Sequence, residues 1–229
     1  MLTIRALAET TQATQTAVCD LLLQSLIGCK IIETVILEYG RDSPDHSAFP
    51  LSGPALSRFL TQRSDIPDIK LVSFELDEEH CRASVATENV KEDVNITLKH
   101  CHLTEAGERL LFDGIRRNLG PTSLQSCCFN TQLLADALRG NTRIKRFRCQ
   151  CDHRLTDENV SFTDDNFLFL LRALAENLGI EKLVLKCINI TDESWDAMCQ
   201  SLANHPATLL IVLPMMKAVD PVVLVVPTC

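Results

Sequence analysis

Cys149-Gln150-Cys151-Asp152-His153 brings two thiols, a carboxylate and an imidazole into five consecutive residues. Thiolate and imidazole are preferred zinc ligands, and a thiol beside an imidazole is also the pairing that activates a cysteine nucleophile. Cys101-His102 and Cys127-Cys128 offer further ligands from neighbouring segments. Spacing argues against both chemistries. C-x-C-x-H matches no regular finger, alternate strand residues point the same way without converging, and nothing near His153 would orient it as a base for Cys151. The eight glycines form neither G-x-G-x-x-G nor G-x-x-x-x-G-K, so no phosphate cradle is expected. Trp195 falls at a core-facing helical position and reads as packing. No catalytic residue, metal or cofactor is therefore expected.

The elements that carry these residues follow a repeated plan. In "EKLVLKCINITDESWDAMCQSLANHP", residues 181–206, Leu183 and Leu185 alternate at strand period, and Thr191-Asp192-Glu193 then opens a helix. Thr191 can accept from an early helical N–H, and the two acids suit the positive end of the helix dipole. Trp195, Met198, Cys199 and Leu202 share one helical face, and Asn204-His205-Pro206 ends it. The same plan recurs at Ile32, Val35 and Leu37; at Ile66, Ile69 and Leu71; at Val94 to Leu98; at Leu124; at Ile144, Phe147 and Cys149; and at Ala207, Leu210 and Val212. The last apolar strand positions, 37, 71, 98, 124, 149, 185 and 212, are separated by 34, 27, 26, 25, 36 and 27 residues. Near-constant spacing is the mark of a repeat array. The two long intervals hold polar insertions near 40–50 and 151–162, with Thr163 the favoured cap of the helix after the second.

These units resemble leucine-rich repeats of the ribonuclease-inhibitor-like type, over roughly residues 31–213, with "LVLKCINITDESWDAMCQSL" the nearest match. The resemblance implies an α/β fold: a curved solenoid with parallel strands on the concave face and helices on the convex face. Residues 1–30 are expected to form an N-terminal helical cap, with the helix over 4–26. Residues 31–213 hold about seven degenerate repeats, and residues 214–229 form an apolar tail. The tail either folds back as an end strand or belongs to a shortened version of a longer array.

The template also predicts which residues line the concave strand face: Thr34, Ile36, Glu38; Asp68, Lys70, Val72; Asn95, Thr97, Lys99; Ser123, Gln125; Arg146, Arg148, Gln150; Lys182, Val184, Lys186; and Leu209, Ile211, Leu213. Six are basic (Lys70, Lys99, Arg146, Arg148, Lys182, Lys186) and two acidic (Glu38, Asp68), a local charge of +4 that leaves −12 on the remainder of a chain with net charge −8. Lysine and arginine are also ordinary on any exposed strand, and a one-residue register error would exchange the exposed and buried sets. Read functionally, the six basic residues bind a protein partner with an acidic surface, and salt weakens the association.

Composition narrows the remaining classes. At 46% hydrophobic, 229 residues can bury a substantial core. No run reaches the ~18 apolar residues of a membrane span, and the first 30 residues lack the basic start and apolar core of an export signal. The 11 cysteines are accordingly read as reduced thiols of a cytoplasmic protein. Cys101, Cys127 and Cys187 occupy equivalent template positions and read as a buried stack of small side chains. The acidic balance disfavours nucleic acid. The expectation is a monomeric, non-enzymatic interaction module, scaffold or receptor, with no membrane partner. The alternative is a ribonuclease-inhibitor-like regulator of an enzyme.

Overall fold

The computed structural model describes residues 1–6, 12–29, 32–39, 52–63, 66–85, 94–125, 129–150, 164–186, 191–203, 205, 208–212 and 223–226. Strands and helices alternate along the chain: β1 (Leu2–Ala6), α1 (Gln12–Ile27), β2 (Thr34–Tyr39), α2 (Gly53–Gln62), β3 (Asp68–Val72), β4 (Glu75–Leu76), α3 (Glu78–Val85), β5 (Asn95–Lys99), β6 (His102–Leu103), α4 (Glu105–Arg116), β7 (Ser123–Gln125), α5 (Thr131–Leu138), β8 (Arg146–Gln150), α6 (Asp164–Glu176), β9 (Lys182–Lys186), α7 (Asp192–Leu202), β10 (Thr208–Val212) and β11 (Val223–Val226). The fold is α/β. Its main sheet has the order β1-β2-β3-β5-β7-β8-β9-β10-β11, and β4 and β6 form a separate two-stranded ladder. Every pair in the main sheet is parallel except β10 with β11.

The strand order advances in one direction and never reverses, so right-handed crossovers lay the helices on a single face. Each helix accordingly packs on the next in chain order, from α1 on α2 to α6 on α7. The core lies between the layers. Strand residues Val35, Leu37, Ile69, Leu71, Ile96, Leu98, Leu124, Phe147 and Leu183 meet helix residues such as Leu56, Phe59, Leu111, Phe112, Leu134, Phe167 and Leu174 in one buried cluster. Lys70, between Ile69 and Leu71, and Arg148, between Phe147 and Cys149, remain partly accessible on the other face of the sheet.

Local chemistry starts the helices. Ser52, Thr104 and Asn130 accept from the backbone N–H groups of Ala55, Gly107 and Leu133 at 3.3, 3.2 and 3.1 Å, and Thr191 accepts from Ser194 N–H at 3.4 Å. Such caps are worth ~1 kcal/mol each. Asp77 serves α3, accepting from the N–H groups of Glu79 and His80 and facing the His80 ring at 2.7 Å. Burial would raise the Asp77 carboxyl, but these bonds and the His80 charge outweigh it and hold the group below its ordinary value.

Asparagine organises the helix exits. Asn141 Nδ2 donates to the Ile115 carbonyl at the end of α4, and its Oδ1 accepts from Ile144 N–H at 2.8 Å. Asn177 repeats this one unit on: it donates to the Leu138 carbonyl at 2.7 Å and accepts from Gly179 and Ile180 at 2.9 and 3.1 Å. The Asn177 carbonyl in turn accepts from His205 Nε2 at 2.7 Å. Arg63, almost fully buried, donates to the Leu26 carbonyl and so does the same for α1. Each of these carbonyls also accepts a backbone N–H at its own helix exit, Ile115 from Asn118, Leu138 from Asn141 and Leu26 from Cys29, so the later side chain adds a second donor to a helix end its own turn has closed.

Three sequence-based expectations differ from this architecture, and one helix arises unannounced. Residues 1–30 are not simply a helical cap, because β1 precedes α1 and pairs with β2 in the parallel pattern of the later units. Helix α2 arises in a stretch where the strand pattern gave no signal. Leu124 pairs with Phe147 rather than with Cys149, a shift of two residues that preserves the faces. In β10 the shift is one residue: Leu209 and Ile211, not Leu210 and Val212, are the register partners of Leu183 and Leu185. The apolar run of β10 carries no alternation, and without it register is unspecified by pattern. The tail does supply an end strand, β11. The insertions at 40–50 and 151–162, Thr163, Leu213 and Cys229 lie outside the described residues.

Candidate functional site

The sheet face turned away from the helices is organised in rows that cross the strands. One row runs Ile36, Lys70, Thr97, Ser123, Arg146, Lys182 and Thr208; the next runs Glu38, Val72, Lys99, Gln125, Arg148, Val184 and Leu210; a third pairs Gln150 with Lys186 and Val212. Parallel pairing keeps paired residues on one side. Of the six basic residues singled out by the template, Lys70, Lys99, Arg146, Arg148 and Lys182 therefore share a face.

They are not equivalent. Lys70 pairs with Asp68 at 2.9 Å on its own strand, so its charge is already compensated. Among the described residues, Lys99, Arg146 and Lys182 have no such acidic partner; Arg146 and Lys182 are exposed, and Lys99 and Arg148 half-buried. Lys186 occupies the register position opposite Gln150. Small residues lie between the long ones: Thr97 and Ser123 are buried in the row that joins Lys70 to Arg146, and Gln125 Nε2 donates to Ser123 Oγ at 3.0 Å. Positive charge is thus concentrated on β5, β8 and β9, while β2 and β3 contribute Glu38, Asp68 and apolar Ile36 and Val72.

Few of the thiol and imidazole candidates fall among the described residues. Cys149 is buried in β8, while Cys127, Cys128, Cys151, Asp152, His153 and Cys187 lie outside the described residues. Among the described residues no group of three or more His, Cys, Asp or Glu side chains is placed to hold a metal ion. Cys101 is fully buried, with its Sγ 3.4 Å from the Leu71 carbonyl and 3.5 Å from that of Lys99. Cys81 is buried beside it, and burial, reinforced by the negative potential of Asp77, Cys101 and Glu108, pushes its thiol up to about 12. A thiolate is the reactive form. Native alkylation should label exposed Cys29 and Cys199 rapidly and leave Cys81 and Cys101 unmodified over the same period, as read by peptide mass spectrometry. Rapid labelling of Cys101 would show that the core side of the strands has been misassigned.

Sequence reasoning missed the buried pegs Asn141 and Asn177 and the Lys70–Asp68 pair. Asparagine just past a helix end recurs at 118, 141, 177 and 204, and that recurrence was the available signal. Among the described residues no helix is long and apolar enough to cross a membrane. Neither the known protein-family models nor the curated proteins contain a match to this chain.

Proposed function

We propose that this chain is a leucine-rich-repeat-type recognition module that holds a protein partner on the strand face and catalyses no reaction. The observation that carries the reading is the common placement of Lys99, Arg146, Arg148 and Lys182 on the sheet face opposite the helices, in a chain whose net charge is −8. Segregated charge of this kind steers an oppositely charged partner and fixes its orientation. A one-directional strand order with the helices in one layer is the connectivity a repeat solenoid needs, and a horseshoe with this strand face as its concave surface, in a cytoplasmic protein, is part of the same proposal.

The test is affinity capture from native extract with the wild-type protein and with Arg146, Arg148, Lys182 and Lys186 all changed to glutamate, at low and moderate salt. A specific partner should be retained by the wild type, weakened by salt and reduced at least about tenfold by the charge reversal, with circular dichroism unchanged. Equal retention by both proteins would move the binding surface to the acidic helical side or the insertions and would sink this reading.

A further inference from the structure

The first strand-and-helix unit sets one flank against β2 and α2 and leaves the other uncovered among the described residues. Of the five large apolar side chains exposed among the described residues, Met1, Val18, Leu21 and Leu22 lie in this unit, and Leu178 lies elsewhere. Asp20 accepts from Ser52 N–H and Oγ–H at 3.3 and 2.8 Å, which marks the side of α1 that faces α2. Cys19 and Leu23 are buried in the core. At ~100° per residue, Val18, Leu22 and Ser25 fall on the side of α1 opposite Asp20, turned away from the array. Asp20 is the one charge in α1, so that side carries none. The Ser25 hydroxyl donates to the Leu21 carbonyl at 2.8 Å, and burying it strands no donor. Beside this stripe runs β1, the first strand of the main sheet, whose outer edge is unpaired among the described residues. Its sequence, LTIRA, holds no proline and one charge, so little blunts that edge.

We infer that this end binds a second copy of the chain about a two-fold axis, with β1 pairing antiparallel to its mate and α1 packing across the α1 of the other copy. Each seam from the first unit through β9 and α7 sets strand beside strand and helix beside helix, and the two-fold continues that arrangement from one copy into the next. Head-to-tail stacking has no matching counterpart, because the far end of the sheet closes with β11, antiparallel to β10. A two-fold contact also closes the assembly at two copies. An uncharged contact is what two chains of net charge −8 need in order to approach. A 16-residue helix ~24 Å long, layered on the sheet, gives an end face of roughly 500 Å² per copy. The total of about 1,000 Å² is at the lower limit of specific interfaces, so the dimer is weak, with Kd on the order of 10 μM. The chain is then a monomer when dilute and a dimer when concentrated. This surface is distinct from the cationic strand face, and the two readings stand or fall separately.

Analytical ultracentrifugation of the full chain under reducing conditions, between about 1 and 100 μM, tests this. Wild type should pass from the mass of one copy to that of two. Leu22→Glu or Val18→Glu, both at exposed positions, should weaken the association about tenfold or more by placing a charge in the contact. Leu178→Glu should leave it within about twofold. Raised salt should strengthen it by screening the repulsion between copies. Hydrogen exchange gives a readout that needs no variant: amides of residues 2–6 should exchange more slowly at the high concentration than at the low one. A single-copy mass at the highest concentration would overturn the inference, as would a mass that climbs past two copies. So would wild-type association by Leu22→Glu, or a loss in Leu178→Glu as large as in Leu22→Glu. Association that weakens with salt would place the contact on the cationic face instead. Unchanged exchange of residues 2–6 in a dimer would overturn the pairing of β1 edges.

Discussion

Asn177→Ala should lower the melting temperature by roughly 10 °C, the larger of two expected effects on stability. The residue is fully buried, and its amide satisfies three backbone groups at once: the Leu138 carbonyl and the N–H groups of Gly179 and Ile180. An alanine leaves the N–H groups of Gly179 and Ile180 without that acceptor in a place water does not reach, while the Leu138 carbonyl keeps the bond from Asn141 N–H. Each buried group left unpaired costs ~1–3 kcal/mol, and partial relaxation brings the sum to about 3 kcal/mol. For a chain of this size 1 kcal/mol moves the midpoint by about 2–4 °C. Asn177→Asp separates the two halves of the role, because a carboxylate still accepts from Gly179 and Ile180 but cannot donate to Leu138. It too should be destabilised at neutral pH. Asn118 is the contrast: it is exposed, and its Oδ1 accepts from Thr142 N–H at 2.7 Å from a backbone with φ of 59°. Asn118→Asp retains the acceptor and tolerates the left-handed conformation, so its midpoint should stay within about 2 °C of wild type. Thermal melts followed by circular dichroism decide the matter. Equal small shifts for Asn177→Ala and Asn118→Asp would mean that the buried amides do not join one unit to the next.

Gly107→Val should be nearly as damaging, for a steric reason. Gly107 lies in the first turn of α4, where a Cβ would sit 2.8 Å from the Leu76 carbonyl oxygen and 3.0 Å from the carbonyl carbon and oxygen of Asp77. Those atoms are backbone and cannot rotate away. Gly114, two turns further along α4, is closer still to its neighbour, with its Cβ position 2.4 Å from the Val85 side chain of α3, so the seam between the helices closes on two glycines. Alanine in a helix is ordinarily favoured over glycine by ~1 kcal/mol, while overpacking costs ~1–3 kcal/mol. Gly107→Ala should thus lose modestly on balance, and the branched valine roughly 3 kcal/mol. Gly28 is the control, since the nearest atom to its Cβ position is 3.8 Å away. Gly28→Ala should be neutral or slightly stabilising. Urea denaturation of the three variants gives the comparison, and a Gly107→Val protein as stable as wild type would mean that α3 and α4 are farther apart than described.

These two sites show where the sequence stopped being informative. Strands β3, β5 and β8 were legible because Ile69 and Leu71, Ile96 and Leu98, and Phe147 and Cys149 alternate with polar neighbours, and alternation is a property of adjacent residues. Thr104 and Thr191 were legible as caps for the same reason, since a cap acts within three residues. The face shared by Lys99, Arg146, Arg148 and Lys182 followed once each strand's phase was known. Asn177 was read past because its meaning lies in a carbonyl 39 residues earlier. Lys70 was grouped with the other cations although Asp68, two residues away, takes its charge.

By itself the sequence determined the alternation of strand and helix, the near-constant repeat length, and the inward and outward sides of every strand with a clear polar-apolar rhythm. Those features arise from backbone periodicity and short-range hydrogen bonding. Only the tertiary structure decided that β1 extends the sheet ahead of α1, that β10 sets Leu209 and Ile211 in register with Leu183 and Leu185, that β11 closes the end antiparallel, and which amides and glycines let one unit sit against the next. Each of these depends on atoms brought together from distant parts of the chain, whose energies a local pattern does not contain.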